Sequence, residues 1–204
     1  MRKTMWATLG GAAAVALLLA LAHARAQDDP EAPRGGIATL YALDHLTHSF
    51  CFGDGRPGSV VQDGEVRNRC SDIDFGNLTA DGFSVGIEGG RLGSIVDLGA
   101  PEDLSRRYGY AETVGRGQGF ASLTTDGSRV RILKDRKAGT WQDLAESAAL
   151  FGEGKGRANA PVRLGNIYLV RLTDRRDKSF QRLVKLQVIA HAPNQSVTIR
   201  WQRL

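Results

Sequence analysis

Alternation of apolar and polar positions is clearest at the C-terminal end of the chain. Val184, Leu186, Val188 and Ala190 alternate with Leu183, Lys185, Gln187 and Ile189, and Val197, Ile199 and Trp201 alternate with Thr198, Arg200 and Gln202. A period of two belongs to an extended chain with one buried face, so these stretches predict two half-buried antiparallel strands. Residues 167–172 are apolar on both faces. They predict a central strand, joined to the next through the charged loop Asp174-Arg175-Arg176-Asp177-Lys178, so that the last third of the chain forms a three-stranded meander.

Upstream, short apolar runs are punctuated by Asp54-Gly55, Asp63-Gly64, Asp81-Gly82, Gly89-Gly90 and Asp126-Gly127. Turn dipeptides at that density mark many short strands. They place strands at 37–43, 47–52, 71–75, 83–88, 94–98, 120–124 and 129–133. Helix signals are few. Thr140 followed by Asp143 is a capping pattern, after which Trp141, Leu144, Ala148 and Phe151 share one helical face ahead of Gly152. Pro101, with Glu102 and Asp103 behind it, opens a shorter helix whose acids sit at its positive end. Residues 151–161 read as a flexible loop, and no internal repeat stands out. The predicted fold is mainly β, an antiparallel sandwich or set of meander sheets with one or two short peripheral helices.

Composition changes this picture at the N-terminus. Residues 1–26 combine Arg2 and Lys3, an uncharged apolar run from Ala12 to Ala22, and small residues at Ala24 and Ala26, the pattern of a secretory signal peptide cleaved after Ala26. The apolar run is about half the roughly 20 residues that span a bilayer, and no second such run occurs, so the mature chain is expected outside the cytoplasm without a transmembrane segment. Loss of Arg2, Lys3 and Arg25 leaves 24 basic against 22 acidic side chains, net +2. Global attraction to nucleic acid is therefore not expected. Residues 27–36, rich in Pro, Gly and charge, read as a disordered lead-in, and residues 37–204 as a single β-rich domain. Cys51 and Cys70, an even count in an oxidising compartment, predict one disulfide.

Candidate chemistry is sparse. His45, His48 and Cys51 recur at a three-residue spacing, but alternate strand positions send His45 and His48 to opposite faces, and two imidazoles fall short of a closed metal site. No metal is expected there, and His48 with Phe50 is expected on one face of the strand, Thr47 with Ser49 on the other. Gly82-Phe83-Ser84-Val85-Gly86 matches G-x-S-x-G, and Ser84, Asp174 and His191 follow hydrolase chain order. The glycines after Ser84 cannot open the helix that a nucleophile elbow needs, so a plain strand is preferred. Asp72 and Asp74 share a strand face and read as solvated rather than calcium-binding. Gly115–Gly119 lacks the Lys-Ser/Thr of a P-loop and reads as a turn. Arg171, Arg175, Arg176, Lys178, Arg182 and Lys185 form a basic cluster that a polyanion would dock on, though only Phe180 interleaves it and nucleic-acid binding gains little support.

The Phe/Gly/Val-rich early segment ending in Asp72-Ile73-Asp74-Phe75, taken with Tyr168-Leu-Val-Arg, Leu183-Val-Lys-Leu and Val197-Thr-Ile-Arg-Trp201, resembles secreted bacterial HmuY-like proteins over about a third of the chain. The resemblance implies an all-β envelope protein, in a family that includes haem binders. The chain departs from that pattern in lacking a lipid-attachment cysteine, in its predicted disulfide and in the helix near Trp141. Together these readings predict an exported, non-enzymatic binding or interaction module of unknown ligand. The alternatives are a haem- or metal-binding protein in which His45 or His48 is joined by His191 as axial ligand, and, less favoured, a serine hydrolase.

Overall fold

A computed structural model of the chain describes residues 34–62, 65–68, 70–87, 91–110, 120–135, 139–152 and 157–204. The proposed signal peptide and the Gly115–Gly119 turn lie outside the described residues. The fold is built on the predicted meander. Strands β13 (Ile167–Asp174), β14 (Gln181–Ala192) and β15 (Ser196–Arg203) pair antiparallel in sequence order. Strand β1 (Gly35–Tyr41) closes on β15 and β8 (Arg91–Gly99) on β13, giving a five-stranded sheet in the order β1-β15-β14-β13-β8. Gly35 and Gly36, read from sequence as lead-in, are already part of β1.

β14 is buried on both faces rather than one, because it lies at the centre of three layers. On one side Val184, Leu186, Val188, Val197, Ile199 and Trp201 meet a second antiparallel sheet. That sheet runs β12 (Asn159–Pro161), β7 (Gly82–Val85), β6 (Ile73–Phe75), β2 (Ser49–Cys51) and β3 (Arg56–Pro57), and contributes Phe50, Ile73, Phe75 and Phe83. On the other side Ile167, Leu169 and Leu183 meet Val130 and Ile132 of a small sheet made of β9 (Leu123–Asp126), β10 (Arg129–Asp135) and β11 (Thr140–Asp143). Two short helices complete this layer, α1 (Pro101–Tyr108) and α2 (Ser147–Phe151). A separate hairpin, β4 (Ser59–Gln62) with β5 (Glu65–Asn68), turns at the Asp63-Gly64 step. Gly86, at φ +72, packs so close to Gly93 that an added Cβ would lie 2.2 Å from the Gly93 nitrogen, which explains glycine at both ends of this crossing.

Two element predictions are corrected. Residues Thr140–Asp143 form a strand and not the first turn of a helix: Trp141 pairs with Leu133, and the helix is confined to Ser147–Phe151. Ladder bonds to β10 satisfy the backbone that the capping pattern would have served. The 151–161 segment is also not all loop, since Asn159–Pro161 pairs with β7 and Arg157 bridges to Ile95. α1 begins at Pro101 as predicted, and its first-turn Asp103 accepts the Ala100 amide.

The Cys51–Cys70 disulfide is present, with Cα atoms 5.2 Å apart across a separation of 19 residues. A cross-link of that span contributes roughly 3 kcal/mol by restricting the unfolded chain. Replacing both cysteines with serine is expected to lower stability in urea by about that amount, and reductant should then have no further effect on the double variant. An unchanged midpoint for the double variant would remove the bridge from the stability account.

Candidate functional site

The histidines of the opening motif are held by a turn and by the second sheet. Asp44 accepts bonds from the Leu46 amide (2.9 Å) and the Thr47 hydroxyl (2.7 Å), and these bonds hold its carboxyl below the usual carboxylate range. The turn sends His48 inward, where its Nδ1 lies 3.0 Å from the Asp44 carbonyl. A carbonyl only accepts, so Nδ1 carries the hydrogen and Nε2 faces Asp74, at 3.6 Å. His45 stays exposed, its ring 6.2 Å from that of His48 in an edge-on arrangement. His48, Ser49 and Phe50 are all buried, so the two faces expected from alternation are both covered at this strand.

His191 lies elsewhere. Its Nε2 is 2.8 Å from Asp81, and the same carboxylate oxygen accepts the Asn194 amide at 2.9 Å. Partial burial opposes ionisation of Asp81, but the Asn194 amide and His191 outweigh it and hold the carboxyl below its ordinary value. This is a clasp tying the β14–β15 turn to the second sheet. Among the described residues no hydrogen bond, ion pair or ring contact joins His191 to His45 or His48, so the structure does not bring the three imidazoles to one cavity.

Nor is the Ser84, Asp174, His191 set assembled. Ser84 sits within β7 with its hydroxyl 2.9 Å from that of Thr79, His191 takes Asp81 as its carboxylate, and Asp174 faces Arg91 at 3.4 Å.

The expectation that Asp72 and Asp74 face solvent is overturned. Both are buried, on a strand covered on each side. Asp72 Oδ2 accepts from the Phe52 amide at 2.9 Å and from Arg182 Nη1 at 2.6 Å. Burial pushes the Asp72 carboxyl up, while Arg182 and the Phe52 amide pull it back toward ionisation. Burial likewise raises Asp74, against the Leu78 amide and His48. Gly53 lies over this pair, where a Cβ would approach Arg182 Nη2 to 2.8 Å. Cys51, Cys70 and Asp72 converge, but the thiols are spent in the disulfide, so the trio is no metal site.

Arg182 therefore leaves the surface cluster to which the sequence assigned it. Lys185 leaves as well, its ammonium donating to the Phe120 and Ala121 carbonyls at 2.7 and 2.5 Å. Arg171 is half-buried and donates to Gln181, and only Arg175, Arg176 and Lys178 stay exposed at the hairpin tip.

Three clefts open on the described surface, and none is lined by a histidine. The first, about 510 Å³, carries charges of both signs that already answer one another: Arg163 pairs with Asp97 and Arg106 with Asp103, while Arg107 reaches outward to Glu146. A smaller one of about 290 Å³ lies between β8, β12 and α2. The remaining cleft, about 400 Å³, is lined by Arg34, Gly35, Gly36, Ile37, Phe120, Arg200, Trp201 and Gln202. It holds two guanidinium groups and no carboxylate, and among the described residues neither Arg34 nor Arg200 has an ion-pair partner. Sequence reading missed it because residues 34, 120 and 200 are far apart in the chain and meet only through the β1–β15 register, which sets Ile37 opposite Arg200. The one local hint was an arginine placed between the apolar Ile199 and Trp201 on the polar face of its strand.

No protein-family model, curated protein or solved structure matches the chain.

Proposed function

We propose that the chain is an exported, non-enzymatic binding module that takes its ligand in the Arg34–Phe120–Arg200 cleft. The observation that carries this reading is the cleft's unanswered positive charge, in a protein whose other buried and half-buried ionic groups are matched internally. Clefts of roughly 300–1,000 Å³ with apolar walls and a few convergent polar groups are the usual form of a small-ligand site. Ser84, His48 and His191, the side chains best suited to chemistry, each have structural partners. The N-terminal segment and the disulfide support export. Among the described residues no helix is long and apolar enough to cross a membrane.

Two measurements test the reading. Mass spectrometry of protein recovered outside the cytoplasm should find an N-terminus near Gln27; retention of Met1 there would sink the export half. Amide chemical-shift mapping against a mixed set of neutral, cationic and anionic small molecules should move the signals of Gly35–Ile37 and Arg200–Gln202. Silence at those residues across the whole set would remove the cleft as the binding surface. The HmuY-like similarity keeps a haem reading to be tested, which requires His48 or His191 to leave its carboxylate. Haemin titration is expected to give no saturable Soret shift, and a shift abolished by His48→Ala would overturn the assignment of ligand binding to the cleft.

A further inference from the structure

The clefts and side-chain clusters differ in what they leave unsatisfied. The Asp72–Arg182 pair and the His191–Asp81 clasp are closed by protein partners, and the larger cleft between β8 and α1 is lined by salt bridges that a ligand would have to break. The exposed edge of β1 carries Ile37 and Tyr41, but nothing in the structure shows what covers it. Only the cleft beside β1 combines shape with unmatched charge.

Resting on the reading of the cleft as the binding surface, we infer that its ligand is a small organic anion: a carboxylate or sulfonate carried on a flat, apolar body. The charge argument starts at Phe120. The Arg200 guanidinium carbon lies 4.5 Å from the centre of this ring and the Lys185 ammonium 3.9 Å, so two cations crowd one buried aromatic. Arg34 adds a second guanidinium to the cleft wall. Like charges gathered without a carboxylate repel one another, and an anion bound between them relieves that repulsion. Guanidinium is also the side chain best matched to a planar carboxylate, through paired N–H donors.

The apolar half of the argument comes from the other walls. Ile37 is 68 % exposed on the strand directly opposite Arg200, a large aliphatic side chain left bare at the mouth of a charged cleft. The guanidinium stacked on Phe120 presents a flat surface over which a planar group would lie. Gly36 shapes the floor: a Cβ there would sit 3.5 Å from Trp201 Nε1, so glycine leaves the indole edge uncovered by a side chain. Among the described residues no hydrogen bond satisfies that indole N–H, and it is a third donor directed toward the same space.

A matched pair of probes separates charge from shape. 2-Naphthoate and its neutral amide, 2-naphthamide, have the same ring system and differ in the anion. Isothermal titration of the mature, disulfide-bonded protein is expected to show saturable one-to-one binding of naphthoate, weakened by salt, and weaker binding of naphthamide by about tenfold or more. In 1H–15N spectra the Trp201 indole signal, distinguished from that of Trp141 in a Trp141→Phe variant, should move with naphthoate. Arg34→Gln and Arg200→Gln should each weaken naphthoate by about tenfold while leaving naphthamide unchanged. Arg34→Gln guards against misfolding, because Arg34 precedes β1 and its side chain has no partner among the described residues.

Equal binding of the two probes at the Trp201 signal would overturn the anion assignment and leave the cleft standing as a binding surface. Absence of saturable naphthoate binding, or naphthoate shifts confined to residues outside the cleft, would overturn it too. In either case the broader reading is decided separately by the mixed-ligand mapping.

Discussion

Asp72→Ala is expected to destabilise the protein by about 3–5 kcal/mol, the largest effect of any single charge removal here. The carboxylate is wholly inaccessible and bonds both Arg182 and the Phe52 amide, and Arg182 is itself 7 % exposed. Removing the acid leaves a buried guanidinium without its counter-charge, against the stacked rings of the main core. The pair itself need not be a net source of stability, since the desolvation of two charges offsets most of their attraction. That distinction has a measurable form. Asp72→Leu combined with Arg182→Met is expected to recover most of the loss, because both charges leave together. Urea unfolding of the two single variants and the double one gives the coupling directly. If the double variant were as unstable as the sum of the singles, the pair would not be interacting and the geometry would have been misread.

What was legible in the sequence was whatever the backbone settles locally. β13, β14 and β15 follow from period-two alternation, and α1 from a proline with acids behind it. Residues 140–151 were misread because two local rules competed. Thr140 and Asp143 offer a cap, while Thr-Trp-Gln is also good strand sequence, and pairing with β10 decided the outcome. The length of the buried stretch in β14 was hidden for a different reason. Lys185 and Gln187 look like a solvent face, yet the third layer covers them, and their polar ends find carbonyls of Phe120, Ala121 and Gly165.

The polar sites were less legible, for a common physical cause. A charged residue on a strand is solvated by default, and only a partner from far along the chain overrules that default. Asp72 meets Arg182 across 110 residues, and His191 meets Asp81 across the same interval. Neither pairing leaves a trace in local spacing. The cleft is the extreme case, since Arg34 and Phe120 flank segments without strong periodicity and Arg200 looks like any outward-facing strand residue. The disulfide was readable because cysteine count and compartment restrict the pairing to one choice.

Trp201→Ala is expected to lower stability by roughly 3–5 kcal/mol, comparable to the loss of Asp72 but by a different route. The alternation that puts Val197, Ile199 and Trp201 on one face makes the indole a core residue, and it is 3 % exposed. Its ring packs edge-on against Phe50 at 5.5 Å and lies tilted at 5.6 Å from Phe52, so it joins the last strand of the meander to β2, which carries the disulfide. Truncation removes both aromatic contacts and leaves a void that two stiff sheets cannot close. Trp201→Phe should recover more than half of the loss, because most of the ring contact survives. The denaturant slope should stay constant, since the area exposed on unfolding barely changes. A melting temperature unmoved by Trp201→Ala would mean that β15 is one residue out of register, with Arg200 and Gln202 facing the core, and would take the Arg200 cleft with it.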